Sequence, residues 1–133
     1  MTPRSIARAR FDYAVRAALT LVDAAEGELV KAARIADESG VPAPFLARIL
    51  AALVEAGLVR SVRGANGGYR LSEPAAAITL GAILRAVDAP TFAGDSTPQS
   101  EGALWAILDR ELDRVLEGIS LAEVVAETVR APG

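Results

Sequence analysis

The residues of this chain with most to offer chemically are arginines, and they stand in two contrasting settings. Arg48 lies in a stretch, Pro44 to Ala56, where Phe45, Leu46, Ile49, Leu50, Leu53 and Val54 recur at helical spacing. At about 100° per residue Leu46, Ile49, Leu50 and Leu53 face inward, which leaves Pro44, Arg48, Ala51 and Glu55 on the opposite side. A guanidinium near the start of a helix that enters a major groove donates two hydrogen bonds to guanine, worth about 1–3 kcal/mol of discrimination. Arg48, flanked by Ala47, is the candidate for that contact; the alternative is a solvated arginine paired with Glu55 or Asp37. Arg63 and Arg70 flank a second setting, the run Gly64-Ala-Asn66-Gly-Gly68. A slim glycine-rich loop carrying arginine, with Asn66 at its tip and Gly64 beside Arg63, suits a minor groove, where negative potential is high and bulk is excluded. Arg4, Arg8 and Arg10 are placed to neutralise phosphates without reading sequence, or to form an exposed basic tail.

Other chemistries have little to work with. The sequence contains neither cysteine nor histidine, so it offers no disulfide, no thiolate or imidazole metal site, no cysteine nucleophile and no histidine base. No pair of carboxylates falls in a recognisable catalytic setting, and the chain is expected not to be an enzyme. The glycine cluster at 64–68 lacks the lysine and Ser/Thr of a phosphate-binding loop and does not fit the dinucleotide fingerprint.

The elements that must position these arginines follow from periodicity. Phe11, Ala14, Val15, Ala18, Leu21 and Val22 predict a helix over Phe11 to Ala25. A second, short helix over Val30 to Ser39 places Ala32, Ile35 and Ala36 on one stripe and ends at Gly40. With Pro44 to Ala56 these make a helix-turn-helix, stopped by Gly57. Leu58 to Arg63 and Tyr69 to Leu71 are expected as strands, their turn made by the positive φ angles of an Asn66-Gly67 pair. A hairpin in that place is a wing. Thr79 is expected to cap a helix from Leu80 to Val87. Ala89 to Ser100, with two prolines and small polar residues, reads as a linker in which Thr97 and Pro98 open the next helix. That helix, to about Glu117, carries Leu104, Trp105, Leu108, Leu112, Val115 and Leu116 on one side, an amphipathic stripe suited to pairing two copies. After Gly118, Ser120 and Glu123 form a capping box for a last helix bearing Leu121, Val124, Val125 and Val129.

The expected fold is therefore mainly α with a small β-hairpin. A winged-helix domain at 1–88 is followed by a linker at 89–100 and a helical dimerisation region at 101–133. The 133 residues, 52 % hydrophobic, are enough for one core. The net charge of −3 is unevenly spread: residues 1–75 hold ten basic against eight acidic groups, +2, and residues 76–133 hold four against nine, −5. The first half is thus the candidate DNA face and the second is better suited to protein contact, the alternative being an ordinary mixed surface. No apolar run is long enough for a membrane span and no signal peptide is recognisable, so a cytoplasmic protein without membrane partners is expected.

The chain resembles the Rrf2 family of bacterial winged-helix repressors over about Arg10 to Val125. The resemblance is strongest in Gly57-Leu-Val-Arg-Ser-Val-Arg-Gly-Ala-Asn-Gly-Gly-Tyr-Arg-Leu71, followed by Ile78-Thr-Leu-Gly81 and Ala86-Val-Asp88. Asp12-Tyr-Ala14, Ile35-Ala36, Phe45-Leu46, Ala103-Leu-Trp105 and Ile119-Ser-Leu-Ala-Glu-Val124 fit the same pattern. It implies a homodimer joined through the long C-terminal helix, a recognition helix in the major groove, the Arg63 wing in the minor groove and a roughly palindromic operator. Sensing members of the family carry three cysteines, often with a histidine, before the long helix; here the last cysteine and the histidine would fall near Gln99 and Gly102. An iron-sulfur cluster held by cysteine and a thiol switch are therefore excluded, and no cofactor is expected. A signal would come from a protein partner, a small molecule in the dimer crevice, or control by abundance. A winged-helix scaffold that binds protein and has no specific DNA site is the competing reading.

Overall fold

The computed structural model describes residues 3–24, 27–88 and 99–130. Its elements run α1 (Pro3–Val22), α2 (Ala32–Ser39), α3 (Ala43–Glu55), β1 (Val59–Val62), β2 (Gly68–Leu71), a 3-10 turn (Ala75–Ala77), α4 (Leu80–Asp88), α5 (Gln99–Glu117) and α6 (Leu121–Arg130). The mainly helical architecture with one hairpin is the one expected from the sequence. The first helix begins well before Phe11, and its stripe of Ala14, Ala17, Ala18 and Leu21 is buried. Small side chains there let α2, α3 and α4 pack against it closely.

α2 closes on Gly40, whose φ of +75° lets its N–H reach the Ala36 carbonyl at 3.0 Å. α3 opens with Pro44 in its first turn, where a missing N–H costs nothing. It closes as a Schellman motif: Gly57, at φ +81°, donates to Val54, and Leu58 donates to Leu53 at 3.0 Å. Its buried residues are Leu46, Ile49, Leu50 and Leu53, the four expected from periodicity.

β1 and β2 pair antiparallel from Val59↔Leu71 to Val62↔Gly68. The turn differs from the expected Asn-Gly turn. Five residues separate the strands, and among the described residues no non-glycine has positive φ, so Asn66 does not supply the reversal. Gly64 does, at φ +108°, with Gly67 N–H donating to its carbonyl at 3.0 Å. Gly67 is required for a different reason: a Cβ there would overlap the Val62 carbonyl oxygen. The expected start of α2 at Val30 also changes, because Val30 forms an isolated bridge to Tyr69, with two N–H···O contacts of 2.8 Å. A Cβ on Gly68 would come within 2.8 Å of the Val30 oxygen, so glycine is what lets this third extended segment lie against the wing.

Thr79 caps α4, its Oγ1 accepting from the Ala82 N–H at 3.1 Å, and Ser120 caps α6 by accepting from the Glu123 N–H at 3.2 Å. The two capping segments are themselves paired, Leu80 N–H to Ile119 carbonyl and Leu121 N–H to Ile78 carbonyl. Leu121 is fully buried in the same core as Leu50, Leu53 and Ile83. The last helix of the 101–133 region is thus built into the winged-helix core. The expected linker, up to Pro98, lies outside the described residues, as does the expected Thr97–Pro98 helix start.

Candidate nucleic-acid interface

Charge pairing sorts the arginines more sharply than net charge does. Arg16 pairs with Asp12 at 3.0 Å, Arg34 with Glu38 at 2.8 Å and Glu28 at 3.0 Å, Arg114 with Glu111 at 3.3 Å, and Arg85 with Glu117. The guanidinium of Arg34 is held protonated more firmly than usual, first by its hydrogen bond to Glu38 and then by that to Glu28. Arg10, half-buried, donates to the Val87 carbonyl at 3.2 Å, where it satisfies a carbonyl in the last turn of α4. Among arginines with described side chains, those making no hydrogen bond or ion pair are Arg48, Arg60, Arg63, Arg70 and Arg110. Four of the five lie on α3 or the wing. Unpaired guanidiniums keep their full field for an anionic partner.

Arg48 is exposed near the start of α3, with Pro44 and Ala47 exposed beside it, and it pairs with neither Glu55 nor Asp37. The first turn is held in place by Phe45, whose ring lies 5.9 Å from that of Tyr13 on α1 at an interplanar angle of 46°. Arg63, Gly64 and Asn66 are exposed in the wing loop. Arg70 is half-buried on β2, and Arg10 is turned toward α4. Arg8 lies on α1, but its side chain is outside the described set.

Two contributors escaped sequence reasoning. Lys31, the chain's single lysine, donates from Nζ to the Ala65 carbonyl at 2.5 Å and approaches the Gly64 carbonyl at 3.4 Å. It fixes the bend from which Arg63 and Asn66 project, across more than thirty positions of sequence, a separation at which spacing carries no signal. Arg60 is the direct cross-strand partner of Arg70, which becomes readable only once the register is known.

The apolar side of α5 is uncovered. Leu104, Ile107, Leu108, Leu112 and Val115 are each 45–57 % exposed, over an arc of roughly 140°. Ile107 belongs to this stripe by simple periodicity, although the expected set omitted it. Leu116 is 8 % exposed, turned into its own protomer, and the Trp105 side chain is outside the described set. Among the described residues no helix is long and apolar enough to cross a membrane.

Residues 7–127 match the Rrf2 family, described as an iron-dependent transcriptional regulator. An HTH-type transcriptional regulator of Mycobacterium tuberculosis (strain CDC 1551 / Oshkosh) is 36 % identical over 128 residues, covering 87 % of this chain and 78 % of that protein. The structure of T. potens IscR superposes with a TM-score of 0.74 at 29 % identity, covering 93 % of this chain and 90 % of that one. The structure of CymR, the global cysteine regulator of B. subtilis, gives 0.71 at 25 % identity over 89 % and 94 % of the two chains. The donor set does not fit the iron of the family description: the sequence has no cysteine or histidine, and no three carboxylates gather among the described residues. With a helix-turn-helix, a glycine-dependent wing and a family match over most of its length, the chain belongs to the Rrf2 family of winged-helix transcriptional regulators.

Proposed function

We propose that this chain is a sequence-specific DNA-binding repressor that acts as a homodimer on a roughly palindromic operator, without an iron-sulfur cluster. The observation that carries the reading is the segregation of unpaired arginines: among the described residues Arg48 on the exposed side of α3 and Arg63 in the wing loop are left without acidic partners, while Arg16, Arg34, Arg85 and Arg114 are neutralised. Arg48, with Pro44 and Ala47 beside it, reads base edges in the major groove. Arg63, Gly64 and Asn66 enter the adjacent minor groove. Arg70, Arg8 and Arg10 border this surface on the phosphate side, with Arg10 sharing its guanidinium with Val87.

Dimerisation follows from the exposed stripe of Leu104, Ile107, Leu108, Leu112 and Val115. An apolar face of this extent on a charged helix is stable when a second copy covers it. Twofold pairing through α5 (residues 99–117) sets two reading heads at a fixed separation and gives the operator its symmetry. The absence of cysteine and histidine leaves any signal to a small molecule, a protein partner or the amount of protein present. Such a regulator works in the cytoplasm, on double-stranded DNA.

Titration against fragments of its own upstream region at several salt concentrations tests the reading. One fragment should be preferred, and its affinity should fall with a log-log slope near −0.9 per phosphate neutralised, about −5 to −9 in all for six to ten contacts. Uniform weak binding to every fragment would overturn it in favour of a protein-binding scaffold.

A further inference from the structure

The hairpin register places Arg60 directly opposite Arg70, so the two side chains share one face of the wing. Like charges directly opposed across a strand pair destabilise it. Neither guanidinium has a hydrogen bond or ion pair among the described residues. Both line a cleft of about 530 Å³ whose other walls include Leu21 and Val22 from the end of α1, and Pro74. That volume falls within the range of small-ligand sites. No residue of α3 and none of the wing loop lines the cleft, so it is separate from the residues proposed to read bases, with Arg70 on the border between the two. Among the described residues two acidic ones also reach it: Glu28, held by Arg34 at 3.0 Å, and Glu73, which has no partner there.

We propose that this cleft at the base of the wing is a binding site for a small carboxylate with a short apolar tail. A carboxylate between Arg60 and Arg70 accepts charge-assisted hydrogen bonds from both and removes their mutual repulsion, and the tail covers Leu21 and Val22. With Glu73 free at the rim the site carries little net charge, which favours a monoanion over a phosphate and offers a seat for an ammonium group. Arg70 neighbours Tyr69, which the Val30 bridge joins to the segment leading into α2, so occupancy bears directly on the wing. The ligand site stands without the DNA reading; its effect on transcription rests on that reading.

The test is calorimetric titration of the full chain with the unbranched carboxylates from acetate to hexanoate, beside inorganic sulfate and phosphate. Saturable binding is expected for the carboxylates, with affinity rising by up to about fourfold per added methylene, and a loss of about tenfold or more in Arg60→Gln or Arg70→Gln. Because the opposed arginines repel, neither variant should unfold at a lower temperature than the parent. No saturable binding, affinity indifferent to tail length, equal binding by the variants, or a lowered unfolding temperature would each overturn the proposal. So would a fall of about 0.9 in the salt slope of DNA binding for Arg60→Gln in ligand-free buffer, since that marks Arg60 as a phosphate contact. Fragment titration of the parent decides the DNA reading independently of these outcomes.

Discussion

The wing and the outer face of α5 solve opposite problems. The wing is a two-stranded hairpin, too small to be stable alone, and the chain anchors it at several points: the Val30 bridge to Tyr69, the contact of Lys31 with Ala65, the close approach at Gly68, and Val59 in the core. Everything needed to hold it lies within one protomer, and what it leaves uncommitted is charge. The face of α5 leaves uncommitted apolar area, with five large side chains about half exposed. Where a surface is charged its partner is an anion; where it is apolar its partner removes it from water. The two faces therefore answer to different perturbations.

The largest effect should come from α5. Leu108→Glu with Leu112→Glu places charge in the proposed dimer stripe at positions the isolated protomer leaves exposed. Sedimentation should report a monomer whose thermal unfolding is no longer concentration-dependent, and operator affinity should drop about 10²- to 10⁴-fold as the second half-site becomes a separate binding event. A dimer that survives the double substitution would show that the stripe is not the interface.

Next in size is a substitution that tests whether the two faces belong to one cooperative body. Leu121 carries α6 into the winged-helix core, and Leu121→Ala should cost about 2–5 kcal/mol. Denaturant unfolding followed by far-ultraviolet dichroism and by Trp105 fluorescence should remain coincident in the variant. Separate transitions would mean that the C-terminal helices fold independently of the wing.

On the charged face the two arginines should differ in kind more than in amount. Arg48→Ala should cost about 1–3 kcal/mol on the preferred site and relax discrimination at one base pair, whereas Arg63→Ala should weaken binding to all duplexes alike. Binding assays across single-base operator variants separate them. If both mutants bind like the parent, the assignment of the reading surface fails.

How much of this could be read beforehand depends on the range of the interaction. The inward residues of α3, the caps at Thr79 and Ser120 and the stop at Gly57 were legible because each rests on residues within one or two turns of each other. The stripe on α5 was legible for the same reason, apart from Ile107; that Leu116 turns into its own protomer was not, because helical periodicity does not say which neighbour covers a margin. The wing turn was misread because Asn-Gly is only a local signal, while the reversal is made at Gly64 and the second strand begins at Gly68, held by its pairing to Val62 and its approach to Val30. Arg10 illustrates the same limit, since its partner Val87 is 77 positions away.

The smallest expected effect asks whether the wing's anchoring matters for its charge. Lys31 makes no demand on the hydrophobic core, and Lys31→Met keeps the aliphatic stem while removing the ammonium that the Ala65 and Gly64 carbonyls accept from. The fold should lose no more than about 0.5–1.5 kcal/mol. Amide hydrogen exchange at 64–67 should quicken in the free protein, because the Gly67 N–H bond to Gly64 loses its support. DNA affinity should fall by a few-fold while the salt slope changes by less than the roughly 0.9 expected for a lost phosphate contact. A full 0.9 with unchanged exchange would identify Lys31 as a direct phosphate ligand. The wing's conformation would then depend on its backbone bridge, the close approach at Gly68 and Val59 in the core, and the contrast with α5 would rest on those anchors.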